Sequence, residues 1–302
     1  MYDILIIGGG PAGLTAAVYA LRAGKTVLVI EKNGFGGQIA YSPKVENIPG
    51  TQQISGAAFA EALVEQAMAL GADVELENVT SVKKEENGFR VLTEEGSEYE
   101  GRAVILALGV KHRMLGLDGE EELVGNGLSF CAVCDGAFYE GQEVAMIGGG
   151  NSALQEALLL SEVCSKVTIV QNLAFLTGEQ KLADALAEKD NVTIIYSTVV
   201  TAYEAKDGAL SGLQLRNEET GETSRISVDG AFLAVGLMPE NDPFADLADL
   251  NDWGYFASGE DCRTRTEGVF VAGDCRSKTI RQVVTASADG AVAAMAACRY
   301  LD

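Results

Sequence analysis

Two cysteines three positions apart, Cys131 and Cys134, are followed at once by Asp135. A thiolate, not a thiol, attacks a disulfide, and a proton must reach the sulfur that leaves. In a chain without secretion signals, one C-x-x-C reads as redox or metal chemistry rather than as a structural staple. The bland alternative is a pair of buried, inert thiols. Cys164, Cys262, Cys275 and Cys298 are isolated in sequence and read as small core or surface residues. A structural zinc site needs four ligands, usually two C-x-x-C pairs or one pair plus histidines. The chain has one histidine, His112, and no second such pair, so no metal is expected. His112 reads as an exposed hinge or loop residue.

The elements that would position this chemistry are marked by glycine. An apolar run over residues 3–7 stops at Gly8-Gly9-Gly10-Pro11-Ala12-Gly13, and a helical pattern continues to about Ala23. A second apolar run, residues 26–30, ends at Glu31. Adding 140 to each number finds the pattern again without insertion or deletion. Residues 143–147 lead to Gly148-Gly149-Gly150-Asn151-Ser152-Ala153, then a helix to about Cys164 and a strand over 166–170. Gln171 stands where Glu31 stood. Two dinucleotide-binding units are the simplest reading. The glycines let backbone N–H groups approach a pyrophosphate at a helix start, and the carboxylate after the second strand accepts from an adenosine ribose. Pro11 suits the first helical turn, where its missing N–H costs nothing. Two further apolar runs stop at Gly109 and at Gly273-Asp274, and Arg281-Gln282 opens an Ala-rich helix containing Gly290.

The chain has 302 residues, 47% hydrophobic and 22% charged, with a net charge of −22. That balance belongs to a folded protein of about two domains. No run of 18 apolar residues occurs, since Asp289 interrupts the longest small-residue stretch, so no membrane span is expected. The N-terminus lacks a basic region, so a cytoplasmic location is expected. The acidic charge argues against nucleic acid as a partner, because phosphate backbones need clustered Lys and Arg. The acidic pairs at 85–86, 94–95 and 120–122 read as solvated surface, and Trp253 and Tyr255 as core or dimer-face residues.

Taken together, GGGPAG at 8–13, Gly37-Gln38, VENIPG at 45–50, CAVCD at 131–135, GGGNSA at 148–153, GVFVAGD at 268–274 and RQVVTASADG at 281–290 resemble the low-molecular-weight thioredoxin reductase family. The match spans almost the whole chain in the family's motif order. The resemblance implies an α/β fold of two Rossmann-like dinucleotide-binding domains, the second inserted into the first. An FAD domain would comprise residues 1–112 and 243–302, and a pyridine-nucleotide-type insert, residues 113–242, would carry the C-x-x-C. It also implies a homodimer and a thioredoxin-like disulfide as substrate. The family's FAD contacts map onto Gly8, Gly10, Ala12, Glu31, Gln38, Asn47, Asp274, Arg281 and Gln282, with Pro11, Gly13, Gly37, Gly109 and Gly273 in the same motifs. Gly148, Gly150, Asn151, Ser152, Ala153 and Gln171 would form a second dinucleotide site. By the same resemblance Cys134 faces the flavin, Cys131 attacks the partner disulfide, and Asp135 is the general acid/base.

One departure bears on the electron donor. Family members that use NADPH carry a His-Arg-Arg-x-x-x-Arg run after the second strand of the insert, whose guanidinium groups clamp the 2′-phosphate. Here residues 171–177 read Gln-Asn-Leu-Ala-Phe-Leu-Thr. Each lost charge-assisted hydrogen bond is worth about 1.5–3 kcal/mol, so efficient NADPH use is not expected. NADH, a ferredoxin and another flavin stay open as donors. Two other functions stay open as well: a dithiol oxidase using oxygen, and a non-catalytic flavin redox sensor or electron-transfer partner.

Overall fold

The computed structural model describes the whole chain except Ser42, Pro43, Lys44 and Glu46 and the side chains of Val133 and Cys134. Glu46 of the 45–50 motif and the thiol of Cys134 therefore lie outside the described residues. The chain runs β1 (Tyr2–Ile7), α1 (Pro11–Arg22), β2 (Val27–Glu31), α2 (Gly56–Ala69), β3 (Asp73–Leu76), β4 (Val79–Glu85), β5 (Gly88–Thr93) and β6 (Glu98–Leu106). It continues through β7 (Lys111–His112), α3 (Glu120–Leu123), β8 (Leu128–Ser129), α4 (Ala132–Asp135), β9 (Glu143–Ile147), α5 (Asn151–Ser161), β10 (Lys166–Val170) and α6 (Gln180–Ala187). After β11 (Val192–Ile195), β12 (Thr198–Lys206), β13 (Ala209–Asn217), β14 (Thr223–Ser227), β15 (Gly230–Leu233) and β16 (Leu237–Met238), it closes with β17 (Val269–Val271) and α7 (Val283–Leu301).

Two compact units result, residues 1–111 with 238–302 and residues 112–237. In the first, β3-β2-β1-β6 form a parallel sheet, with β17 parallel to β6 and β5 and β4 antiparallel at the other end. Side chains alternate across a strand, so a continuous apolar run fills both faces of a parallel sheet. Ile4 and Ile6 enter one core and Leu5 and Ile7 the other, which is why the run 3–7 is a central strand. In the second unit β11-β10-β9-β15-β8 are all parallel, beside a three-stranded antiparallel sheet of β12, β13 and β14. No helix among the described residues is long and apolar enough to cross a membrane.

The second passage between units falls at 237/238 rather than 242/243. Glu240 pairs with Lys32 and Lys111, each at 2.6 Å, and buried Asn241 donates to the carbonyls of Gly254 and Cys275, each at 2.9 Å. These bonds tie residues 238–242 into the first unit. Two surface readings, of Glu120 and His112, are also corrected. Glu120 is only 3% exposed, accepting from the N–H groups of Leu115, Gly116 and Leu117 and from the Tyr203 hydroxyl at 2.6 Å. His112 is half-buried, its ring stacked on Phe130 with centroids 4.9 Å apart. Trp253 fills no core within this chain, being 76% exposed, while Tyr255 lies under the Arg281 guanidinium, 4.1 Å from ring centre.

The glycine turn depends on close approaches. Gly8 has φ +107°, and a Cβ there would stand 2.2 Å from the Ala107 carbonyl oxygen. Where α7 crosses α1, a Cβ on Gly290 would stand 2.1 Å from the Ala12 carbonyl oxygen. In an open helix, Gly→Ala stabilises by up to about 1 kcal/mol. At this crossing Gly290→Ala is expected to do the opposite, costing about 3 kcal/mol by overpacking, read as a lower urea denaturation midpoint. A raised midpoint would show that the two helices have slack.

Candidate active site

In the second unit, β8 ends at Ser129, two residues before Cys131, and α4 begins at Ala132. Ser129 is 5% exposed, and its hydroxyl serves both sides of the turn. It accepts the Cys131 N–H at 3.1 Å and donates to Asp135 Oδ2 at 2.5 Å. The Asp135 N–H closes the turn on the Cys131 carbonyl at 3.0 Å. Cys131 is disulfide-bonded. Cys164, Cys262, Cys275 and Cys298 are free and buried. Burial pushes the Cys164 and Cys262 thiols up to about 11 and Cys275 to about 12, which keeps them unreactive near neutral pH.

A second carboxylate reaches this segment. Glu156, on α5, accepts the Ala132 N–H at 3.1 Å. Burial pushes its carboxyl up to about 7, with the Ala132 N–H pulling the other way. The spacing signals this residue: Glu156 falls three after Ala153 and four before Leu160, on the buried stripe of α5. The reading of the C-x-x-C alone passed over both Glu156 and Ser129.

The first unit gathers most of the expected dinucleotide-binding residues around the β1–α1 turn. Pro11 is the first residue of α1, and Gly13 sits against the Gly8 carbonyl with no room for a side chain. Ala12 packs under Gly273 and Gly290. Glu31 accepts the N–H of Gly9 at 2.6 Å and of Asn33 at 3.0 Å. Gly37 (φ +61°) packs on Gly10, and Gln38 donates to the Val110 carbonyl. Asn47 donates to Gln282 Oε1 at 3.0 Å, and Gln282 caps α7 reciprocally with Thr285. The Arg281 Nε donates to the Asp274 carbonyl at 3.2 Å. Asp289, met in the sequence only as a break in an apolar run, anchors the adjoining turn: it accepts the Gly273 N–H at 3.0 Å and pairs with Arg276 and Lys278.

The second glycine turn repeats the geometry and then diverges. Gly148 has φ +128°, and Gly150 precedes α5, whose first residues Asn151 and Ser152 are exposed while Ala153 is buried. Gln171 is 3% exposed; its side chain lies against Gly149, and its amide donates to the Phe175 carbonyl at 2.9 Å. Glu31 accepts hydrogen bonds; Gln171 spends its donor on its own loop. The N–H groups of Thr177 and Gly178 close that loop on the Gly149 carbonyl, and Asn151 accepts the Glu179 N–H at 2.6 Å. Asn172, Leu173 and Thr177 are exposed, and residues 171–180 contain no Lys or Arg. Lys166 is turned to Glu143 at 3.4 Å.

The family model for pyridine nucleotide-disulphide oxidoreductases matches residues 2–290. The chain belongs to that family. Thioredoxin reductase of Bacillus subtilis (strain 168) is 38% identical over 302 residues, covering all of this chain and 95% of the relative. That of Treponema pallidum (strain Nichols) is 39% identical, covering 100% and 97%. The crystal structure of Lactococcus lactis thioredoxin reductase in its FR conformation superposes with a TM-score of 0.87 at 34% identity, covering 100% and 99%. The fold is therefore the two-unit α/β fold of thioredoxin reductases, and the protein is a disulfide oxidoreductase.

The raised value of Glu156 makes stability depend on pH in an expected direction. Its folded value of about 7 lies above the ordinary 4.5, so the folded state holds the proton longer than the unfolded chain. Stability is full below about 4.5, falls as pH rises from there, and is lowest above about 7, by about 3 kcal/mol. Glu156→Gln keeps an acceptor for Ala132 and carries no charge. The variant is expected to out-stabilise the parent in urea at pH 8 and to match it near pH 4.5. Equal midpoints at pH 8 would contradict the burial of this carboxylate.

Proposed function

We propose that this oxidoreductase is an FAD-dependent thioredoxin-disulfide reductase that works through Cys131 and Cys134, with Asp135 as acid/base and a donor other than NADPH. The observation that carries the reading is the bonded state of Cys131 beside a carboxylate fixed by Ser129. The relatives named thioredoxin reductase support a thioredoxin-like disulfide as substrate.

The residues of the first unit fit FAD. Asp274 Oδ1 is buried without a hydrogen-bond partner, an acceptor that a ribityl hydroxyl would satisfy. Gly109 (φ +66°) has nothing within 4 Å of where a Cβ would stand, which leaves space at the end of β6. Glu31 has lone pairs left beyond its two backbone donors for a ribose. When bound, FAD supplies a carrier that takes two electrons from a donor and releases them to a disulfide. The protein's part at the sulfurs is to hold the Asp135 carboxylate, the acid/base of this reading, in place through Ser129 and to fix the backbone on either side of Cys131. Attack by the Cys131 thiolate on a thioredoxin-like disulfide would form a mixed disulfide, and the proton would go to the departing sulfur.

The neutral surface at residues 172, 173 and 177 supports a donor without a 2′-phosphate: NADH, a ferredoxin or a second flavin. The intact Gly148–Ser152 turn favours NADH among these, because it keeps backbone donors at a helix start. Anaerobic titration of the flavin-loaded protein with NADPH, NADH and reduced ferredoxin ranks them by flavin bleaching. Micromolar NADPH is expected to be ineffective, and stoichiometric bleaching by it would contradict the reading. Asn172→Arg with Leu173→Arg and Thr177→Arg, leaving buried Gln171 in place, is expected to lower the half-saturating NADPH concentration at least tenfold. Fast aerobic oxidation of a small dithiol with no donor added would favour the oxidase instead.

A further inference from the structure

Glu156 has a consequence for the redox couple itself, one that rests on the reading of Cys131 and Cys134 as the working pair. The elements packed on α5 are α4, α6, β9 and β10. From α4 and its lead-in, Cys131 and Asp135 are the titratable groups described, with Tyr139 in the turn that follows. On α6, Lys181 and Asp184 are exposed; β9 and β10 bring Glu143 and Lys166, which pair with each other at 3.4 Å at the exposed starts of the strands, and no further ionisable group. His112, stacked on Phe130 next to Cys131, is held by burial below its ordinary value. Among the described residues Glu156 accepts one hydrogen bond, from the Ala132 N–H, so its carboxyl meets the backbone of the residue next to Cys131.

We propose that Glu156 is a positioning residue that binds a proton as the Cys131–Cys134 disulfide is reduced, coupling proton uptake to the potential of the pair. Reduction breaks the S–S bond with two electrons from a dithiol or reduced flavin. It leaves one thiol, whose proton comes from solvent, and one thiolate. A thiolate at Cys131 adds negative charge one residue from the N–H that Glu156 accepts, which raises the proton affinity of Glu156, and a second solvent proton binds there. With its value near 7 in the disulfide form, Glu156 is already protonated in acid and takes up nothing extra. Above about 7 it is ionised in the disulfide form and is protonated on reduction.

The signature is a change of slope of unusual sign. Ionisation of a thiol in the reduced pair makes the potential less dependent on pH as pH rises. Only a group that loses its proton in the disulfide form makes the dependence steeper. One extra proton per two electrons is a tenfold change in equilibrium constant per pH unit, about 30 mV. The potential of the pair is measured in the flavin-loaded protein against dithiothreitol buffers from pH 5.5 to 9, with alkylation and peptide mapping of Cys131 and Cys134. The wild-type slope is expected to steepen near pH 7 by up to about 30 mV per unit. Glu156→Gln is expected to match the parent below pH 6, to show no steepening, and to lie at higher potential at pH 8.5. A wild-type slope without steepening overturns the proposal without recourse to any variant, and so does steepening that persists in Glu156→Gln. A pair that no dithiol buffer reduces would instead overturn the reading of these cysteines as the redox couple, and this proposal with it.

Discussion

The segment around Cys131 depends on one constraint, the hydroxyl of Ser129. One hydroxyl accepts the Cys131 N–H and donates to Asp135, so the backbone at the sulfur and the carboxylate are referred to a single atom. Ser129 can hold both because it ends β8, paired in parallel with β15 and 5% exposed. The sheet of the second unit therefore fixes Ser129, and Ser129 fixes the Cys131 backbone and the Asp135 carboxylate. Glu156 holds the neighbouring Ala132 N–H from α5, so two consecutive N–H groups of the active segment are satisfied by side chains from outside it.

The two units use one strand–turn–helix device and part ways where the second strand ends. Both turns bring the middle glycine's carbonyl into a bond with the following loop, from Gly36 in one and from Thr177 and Gly178 in the other. In both, the strand-end side chain lies against that glycine. Glu31 accepts the N–H groups of Gly9 and Asn33 there. Gln171 is consumed in its own loop, and the residues beyond it present Asn172, Leu173 and Phe175 to solvent. One charge at the strand end, Glu31 against Gln171, and one in the loop, Lys32 against none in 172–177, separate the two turns electrostatically.

The repeat at a spacing of 140 residues was legible because glycine turns and apolar runs are local. Strands 143–147 and 166–170 fall where the pattern placed them, and the first helix ends within one residue of the expected position. What escaped the sequence was long-range. Glu120 looks like one of three consecutive acids on a surface, yet three N–H groups and a tyrosine hydroxyl from β12 converge on it. Nothing local announces that Arg276, Lys278 and Asp289 meet, or that Arg281 rests on Tyr255. The unit boundary at 237/238 is hidden from local reading for the same reason, since Glu240 and Asn241 are committed by partners more than 200 residues away at Lys32 and 13 and 34 away at Gly254 and Cys275.

The central claim is that electrons delivered to the flavin-loaded protein reach the Cys131–Cys134 pair. Photoreduction under anaerobic conditions, followed by quenching with an alkylating reagent and peptide mapping, tests it directly. The expected result is that both cysteines become labelled in step with flavin reduction while Cys164, Cys262, Cys275 and Cys298 stay unlabelled in the folded protein. A fully reduced flavin with the 131–134 peptide still unlabelled would contradict the account.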